Sequence, residues 1–139
     1  MALKVLIVDD SSAMRAVVKK TLRAAGFKME QCLEAADGAK ALDILRDQPV
    51  DLVLSDLHMP NMDGLDLLRN LNKENLIPPC FIMVTTEGRK ERLREALSLG
   101  ARGYVVKPFQ PEALSKILSL FLGAPDKAPM EEDLGGPDF

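Results

Sequence analysis

The sequence is poor in the residues that build several common kinds of site. It has a single histidine, His58, and two cysteines, Cys32 and Cys80. Two cysteines this far apart make neither a disulfide framework nor a thiolate metal site, so two reduced thiols are expected. His58 has no His or Cys partner at ligand spacing, which argues against a transition-metal centre or histidine-based catalysis. No apolar run approaches the roughly 20 residues that cross a bilayer, so no membrane insertion is expected. Met1-Ala2-Leu3-Lys4 passes straight into a strand-like run without the layout of a secretory leader, which points to the cytoplasm. A net charge of −3 argues against direct nucleic-acid binding. A chain of 139 residues, 47% hydrophobic and 28% charged, is long enough for one soluble domain with a sizeable core.

The charge is unevenly distributed. Residues 1–123 carry 17 basic and 16 acidic residues, whereas residues 124–139 carry one lysine and five acids. That last stretch, rich in Pro and Gly and containing Glu131-Glu132-Asp133-Leu134, reads as a flexible tail after a domain ending at residue 123.

Within the first 123 residues short apolar runs alternate with segments of helical periodicity. Leu3 to Val8 is a strand ending in Asp9-Asp10. Ser11-Ser12 then offers an N-cap for a helix with Met14, Val17, Val18, Leu22 and Ala25 at helical spacing, and Gly26 is a natural stop. Met29 to Glu34 is more polar, as befits an edge strand. Ala39, Leu42 and Leu45 mark a helix after Asp37-Gly38. Leu52 to Ser55 forms a buried strand closed by Asp56, and Met59-Pro60-Asn61-Met62-Asp63-Gly64 turns into a helix carrying Leu65, Leu68 and Leu71. Cys80 to Val84 is the next strand, stopping at Thr85, followed by a helix with Leu93, Ala96 and Leu97. Gly103 to Val106 is the last strand, stopped by Lys107-Pro108-Phe109. Pro111 opens a final helix with Leu114, Ile117, Leu118 and Phe121 as its buried stripe.

Five strand–helix pairs predict an α/β fold with a parallel sheet covered on both faces. Right-handed crossovers bring every strand's carboxyl end to one edge, where Asp9, Asp10, Asp56, Thr85 and Lys107 collect. Crowded carboxylates with oxygen ligands only call for a hard divalent cation, and Mg²⁺ suits a site with few carboxylates and retained water. Lys107 suits a phosphoryl oxygen as a point charge, and the Thr85 hydroxyl can donate to another. A central carboxylate so flanked can attack phosphorus.

Asp9-Asp10, Asp56 with the turn that follows it, Thr85, and Lys107-Pro108-Phe109 together resemble the receiver domain of bacterial response regulators, of the single-domain chemotaxis type. The resemblance runs from about Leu3 to Leu122. It implies a flavodoxin-like doubly wound (βα)5 fold with strand order 2-1-3-4-5. It implies a signalling switch rather than an enzyme, in which Asp56 accepts a phosphoryl group from a histidine kinase or phosphotransfer domain. Asp10, Asp56 and the backbone carbonyl of His58 would ligate Mg²⁺, with Asp9 acting through water. Thr85 and Tyr104 match the family's switch pair, Lys107 would contact the phosphoryl group, and Lys107-Pro108 would be cis. The phosphorylated form would arise from small donors too and would hydrolyse slowly, with the side chains of His58 and Glu87 tuning its lifetime. Output would be a protein–protein contact, chemotaxis or motility first, from a monomer that can dimerise on activation; a phosphorelay intermediate or another kind of single-domain regulator is the alternative.

Each position also has a plainer reading. Asp9-Asp10 could merely charge a helix N-terminus, Thr85 could end a strand, and Tyr104 could be a half-buried ring. An aspartyl-phosphate phosphohydrolase would want a second acid two residues after the nucleophile, where His58 stands. A nucleotide-binding fold would want a G-x-G-x-x-G loop or P-loop where Asp9-Asp10-Ser11-Ser12 stands. Arg89, Lys90, Arg92 and Arg94 make a basic patch that could be a solvated helix face or a dock for an acidic segment. Leu120 and Leu122, off the predicted stripe, could add an exposed contact.

Overall fold

A computed structural model describes residues 2–86 and 90–123. Five strands and five helices alternate along the chain: β1 (Ala2–Val8), α1 (Ser12–Ala24), β2 (Lys28–Ala35), α2 (Gly38–Asp47), β3 (Leu52–Asp56), α3 (Gly64–Lys73), β4 (Cys80–Thr85), α4 (Lys90–Leu99), β5 (Gly103–Val106) and α5 (Pro111–Leu122). All pairings are parallel and the sheet order is β2-β1-β3-β4-β5. This is the doubly wound order expected, with polar β2 on one edge.

The two-residue period of the strands sorts the core into two halves. Leu6 and Val8 of β1, Val53 of β3, and Phe81 and Met83 of β4 pack with α2, α3 and α4. Their neighbours Val5, Ile7, Leu52, Leu54, Ile82 and Val84 point the other way, against Val18 and Leu22 of α1 and Leu114 and Leu118 of α5. A sheet buried on both faces therefore reads as unbroken apolar runs.

The helix starts are set by side chains that satisfy orphan N–H groups. Ser11 accepts from the Met14 N–H, Asp37 from Lys40 and Asp63 from Asp66, each three residues on. Pro111 occupies the first turn of α5, and Gly26, at φ 94°, ends α1 in a left-handed conformation as expected.

Several apolar positions depart from expectation, Leu97 of α4 among them at 44% exposed. Val17 is 52% exposed, lining a groove of about 290 Å³ with Met14 and Phe109 instead of the core. Phe121 is not part of the buried stripe of α5; its ring is exposed, with the Arg102 guanidinium 5.5 Å from its centroid. Leu122 is the reverse case, half-buried against the core on the α1 side. Near the end of α5 the helix outruns the short strand β5, so helical phase no longer decides burial.

Gly64 lies where the turn after β3 packs back on the strand. A Cβ there would stand 2.4 Å from the Asp56 carbonyl oxygen and 2.9 Å from Met83 Sδ. We expect Gly64→Ala to destabilise the protein by about 1–3 kcal/mol through overpacking, read as a lowered urea midpoint. An unchanged midpoint would show that this turn can shift freely.

Candidate functional site

The strand ends bring five side chains to one edge. Asp9 continues β1, its N–H bonded to the Ala35 carbonyl at 3.1 Å, and Lys107 continues β5, its N–H bonded to the Thr85 carbonyl at 2.7 Å. Asp56 ends β3 and Thr85 ends β4. These short ladder extensions fix the carboxyl edge before any side chain is placed.

Asp9 and Thr85 are buried, Asp56 is half-buried and Asp10 is exposed. Lys107 Nζ lies between two carboxylates, 3.1 Å from Asp9 Oδ2 and 3.4 Å from Asp56 Oδ2. The remaining oxygens are held by main chain: Asp9 Oδ1 accepts from the Ser11 N–H at 2.9 Å, and Asp56 Oδ1 from the Leu57 N–H at 2.8 Å. The Lys107-Pro108 bond is cis, as the resemblance implies.

Burial pushes the Asp56 carboxyl above its ordinary pKa. The Lys107 ammonium opposes this, while the Asp9 carboxylate adds to it, and the N–H groups of Leu57 and His58 favour the charged form. The strongest effect is thus the loss of water around the anion.

One carboxylate oxygen from each of Asp9, Asp10 and Asp56 falls within 4.8 Å of the others. Among the described residues Lys107 pairs with Asp9 and Asp56 only, so with Asp10 open to solvent the three carboxylates outnumber the ammonium beside them. The donor set is all oxygen and suits a hard divalent cation.

Tyr104 stands opposite Met83 in the β4–β5 register and Thr85 opposite Val106. Because Met83 faces α2, α3 and α4 while Val105 faces the other side, Tyr104 and Thr85 share the face beneath α4, diagonal to each other. The Tyr104 ring is 42% exposed. His58 is exposed two residues beyond Asp56. Glu87 lies outside the described residues, as do Arg89 and residues 124–139.

Several supports of the site have no signal in the linear sequence. Arg15 of α1 donates to the Asp9 carbonyl at 2.6 Å and to Glu34 of β2 at 2.8 Å, bracing the acidic edge from the side. The loop after Asp56 is tied to α2 by the Asn61 amide on Asp37 at 2.9 Å and by the Gly38 N–H on the Met62 carbonyl at 2.9 Å. Asn61 adopts φ 66°, which Asn tolerates better than most residues. The Lys40 N–H and the Asn61 amide hold the Asp37 carboxyl below the usual carboxylate range. Arg92 of the predicted basic patch turns instead to Asp63, 3.3 Å away at the N-terminus of α3.

A doubly wound parallel sheet with an acidic triad and a lysine at its carboxyl edge defines a class of phosphoryl-accepting α/β switch domains. Comparison with known proteins narrows the class. Residues 5–119 match the family model described as the response regulator receiver domain, and the chain belongs to that family. It is 44% identical over 117 residues to chemotaxis protein CheY-3 of Vibrio cholerae, covering 84% of this chain and 88% of the relative. It is 40% identical over 126 residues to chemotaxis protein CheY1 of Helicobacter pylori, covering 89% of this chain and all of the relative. Among solved structures, Vibrio cholerae chemotaxis protein CheY4 superposes with a TM-score of 0.75 at 37% identity, over 88% of this chain and 100% of that one. The Borrelia burgdorferi CheX-CheY-BeF3-Mg+2 complex gives 0.74 at 28% identity, over 84% and 87%.

The raised Asp56 carboxyl fixes the sign of one effect. A folded-state pKa above the unfolded value stabilises the fold at low pH, and that contribution is lost as pH rises through the folded pKa. Ionised Asp56 therefore opposes folding at neutral pH. Without divalent cations, Asp56→Asn is expected to melt higher than wild type at pH 7, with the gap closing in acid. Equal melting temperatures at both pH values would contradict this.

Proposed function

We propose that this protein is a phosphorylation-activated signalling switch that accepts a phosphoryl group on Asp56 and passes the signal by binding another protein. The single observation that carries this reading is the placement of Lys107 Nζ between Asp9 and Asp56 beside the open side of Asp10. Donors are a histidine kinase or phosphotransfer domain and small acyl phosphates.

In this reading the Asp56 carboxylate attacks phosphorus. The new O–P bond replaces the donor's N–P bond, the imidazole departing neutral after taking a proton from water, or the O–P bond of an acyl phosphate, whose carboxylate departs as the anion. Half-burial makes Asp56 a poorly hydrated and hence more basic nucleophile. Lys107 leaves its carboxylate pair for a phosphoryl oxygen, and the Thr85 hydroxyl donates to a second. Mg²⁺, held by Asp10, Asp56 and the His58 carbonyl with Asp9 acting through water, would supply charge neutralisation for the transferring group. Tyr104, diagonal to Thr85 beneath α4, would couple the hydroxyl's movement to the α4–β5 surface. Exposed His58 and, outside the described residues, Glu87 would tune the slow hydrolysis of the acyl phosphate.

We assign the receiver unit to residues 1–123 and treat residues 124–139 as a separate acidic segment. The similarity to chemotaxis proteins favours chemotaxis or motility as the pathway, with a cytoplasmic location. Among the described residues no helix is long and apolar enough to cross a membrane.

Intact mass after incubation with acetyl phosphate should show one phosphoryl adduct that requires both Mg²⁺ and Asp56. No adduct on wild type in Mg²⁺ would sink the switch reading. Lys107→Ala should slow adduct formation by at least tenfold at unchanged fold. Replacing His58 by Gly should change the half-life of the adduct several-fold, and an unchanged half-life would remove His58 from the reaction.

A further inference from the structure

Of the six large hydrophobic side chains exposed among the described residues, five lie along one flank: Leu97, Tyr104, Val106, Leu120 and Phe121. The geometry explains why they share it. On α4, Arg92 pairs with Asp63 and Glu95 with Arg69, so that side of the helix faces α3. Helical phase then turns Lys90, Arg94 and Leu97 toward β5. On β5, Tyr104 and Val106 alternate with buried Val105. On α5, Ile117 packs against Gly103 at the start of β5, and Lys116 and Leu120 flank that contact on the solvent side.

The flank is also cationic. Lys90, Arg94, Arg102 and Lys116 are exposed around the apolar strip, where they outnumber the acids beside them, Glu91 of α4 and Glu112 of α5, while Glu95 is engaged by Arg69. An apolar strip ringed by positive charge is suited to an acidic segment carrying spaced apolar residues.

The chain contains such a segment. Residues 124–139 carry five acids against one lysine, with Met130, Leu134 and Phe139 interspersed. They leave α5 at Gly123, two residues beyond Phe121, on the flank itself. Fully extended they span roughly 50 Å, against roughly 18 Å for the whole length of α5. A direct covalent connection also holds the segment near the flank at an effective concentration on the order of millimolar.

We propose that residues 124–139 dock on the α4–β5–α5 flank of their own chain, Glu131, Glu132 and Asp133 meeting the basic rim and Leu134 the apolar strip. Docked there, the segment competes with any acidic partner that uses the same strip. The contact requires no phosphoryl group, so its test is independent of the Asp56 chemistry.

The test compares amide resonances of the full chain, of a chain truncated after Gly123, and of the full chain with Glu131→Lys, Glu132→Lys and Asp133→Lys, all unphosphorylated. Arg94, Leu97, Tyr104 and Val106 should differ between the full and truncated chains, and the triple variant should match the truncated one. The difference should persist on dilution and shrink at about 1 M salt, where the screening length falls to about 3 Å. Identical resonances along α4, β5 and α5 in full and truncated chains would overturn the proposal. So would changes confined to the Met14–Val17–Phe109 groove, or changes that vanish on dilution and so mark a contact between copies.

Discussion

The constraint on which the site depends is the crowding of three carboxylates at one sheet edge, relieved among the described residues by the Lys107 ammonium. Lys107 reaches Asp9 and Asp56 because β1, β3 and β5 end at the same level, and they do so because every pairing is parallel. One ammonium cannot neutralise three anions, and the half-burial of Asp56 keeps water from doing so. The site is therefore held in a state that a divalent cation would relax. Stability is traded for readiness, as is common at functional sites.

The fold supplies this arrangement at little expense. The central strands β1, β3 and β4 are buried on both faces by side chains that are apolar almost throughout, Lys4 and Ser55 being the polar residues before the strand ends. Chemistry is then confined to the last residue of a strand, as at Asp56 and Thr85, or the first residues past it, as at Asp9, Asp10 and Lys107. The loops that carry it are braced by capping carboxylates: Asp37 and Asp63 each cap a helix, and each also engages a residue from another element, Asn61 and Arg92 respectively. A carboxylate with two such duties links the loop after Asp56 to α2 and α4, beside the packing of Leu57, Met59 and Met62 on the core.

The legibility of the sequence follows from the range of the interactions involved. Strand runs, helix caps and the glycine at the end of α1 are local signals, and each element lies where its pattern placed it. Burial in the middle of α1 and at the end of α5 was less legible. Val17 has the right phase yet faces a groove, and Phe121 has the right phase yet passes the end of β5. Burial there depends on what the neighbouring strand covers, which helical period alone does not encode.

The sequence by itself determined the alternation of elements, the two-sided burial of the sheet and the identities of Asp9, Asp10, Asp56, Thr85 and Lys107, since each is written in spacing of two, three or four residues or in a strand-end motif. The tertiary structure alone decided which of these groups touch. The pairing of Lys107 with residues 98 and 51 positions earlier, the brace from Arg15 to the Asp9 carbonyl and the turn of Arg92 to Asp63 join side chains from different elements. Such contacts depend on the register and twist of the sheet and on the angle of each helix across it. Those are collective properties of the packed core, and no short window of sequence contains them.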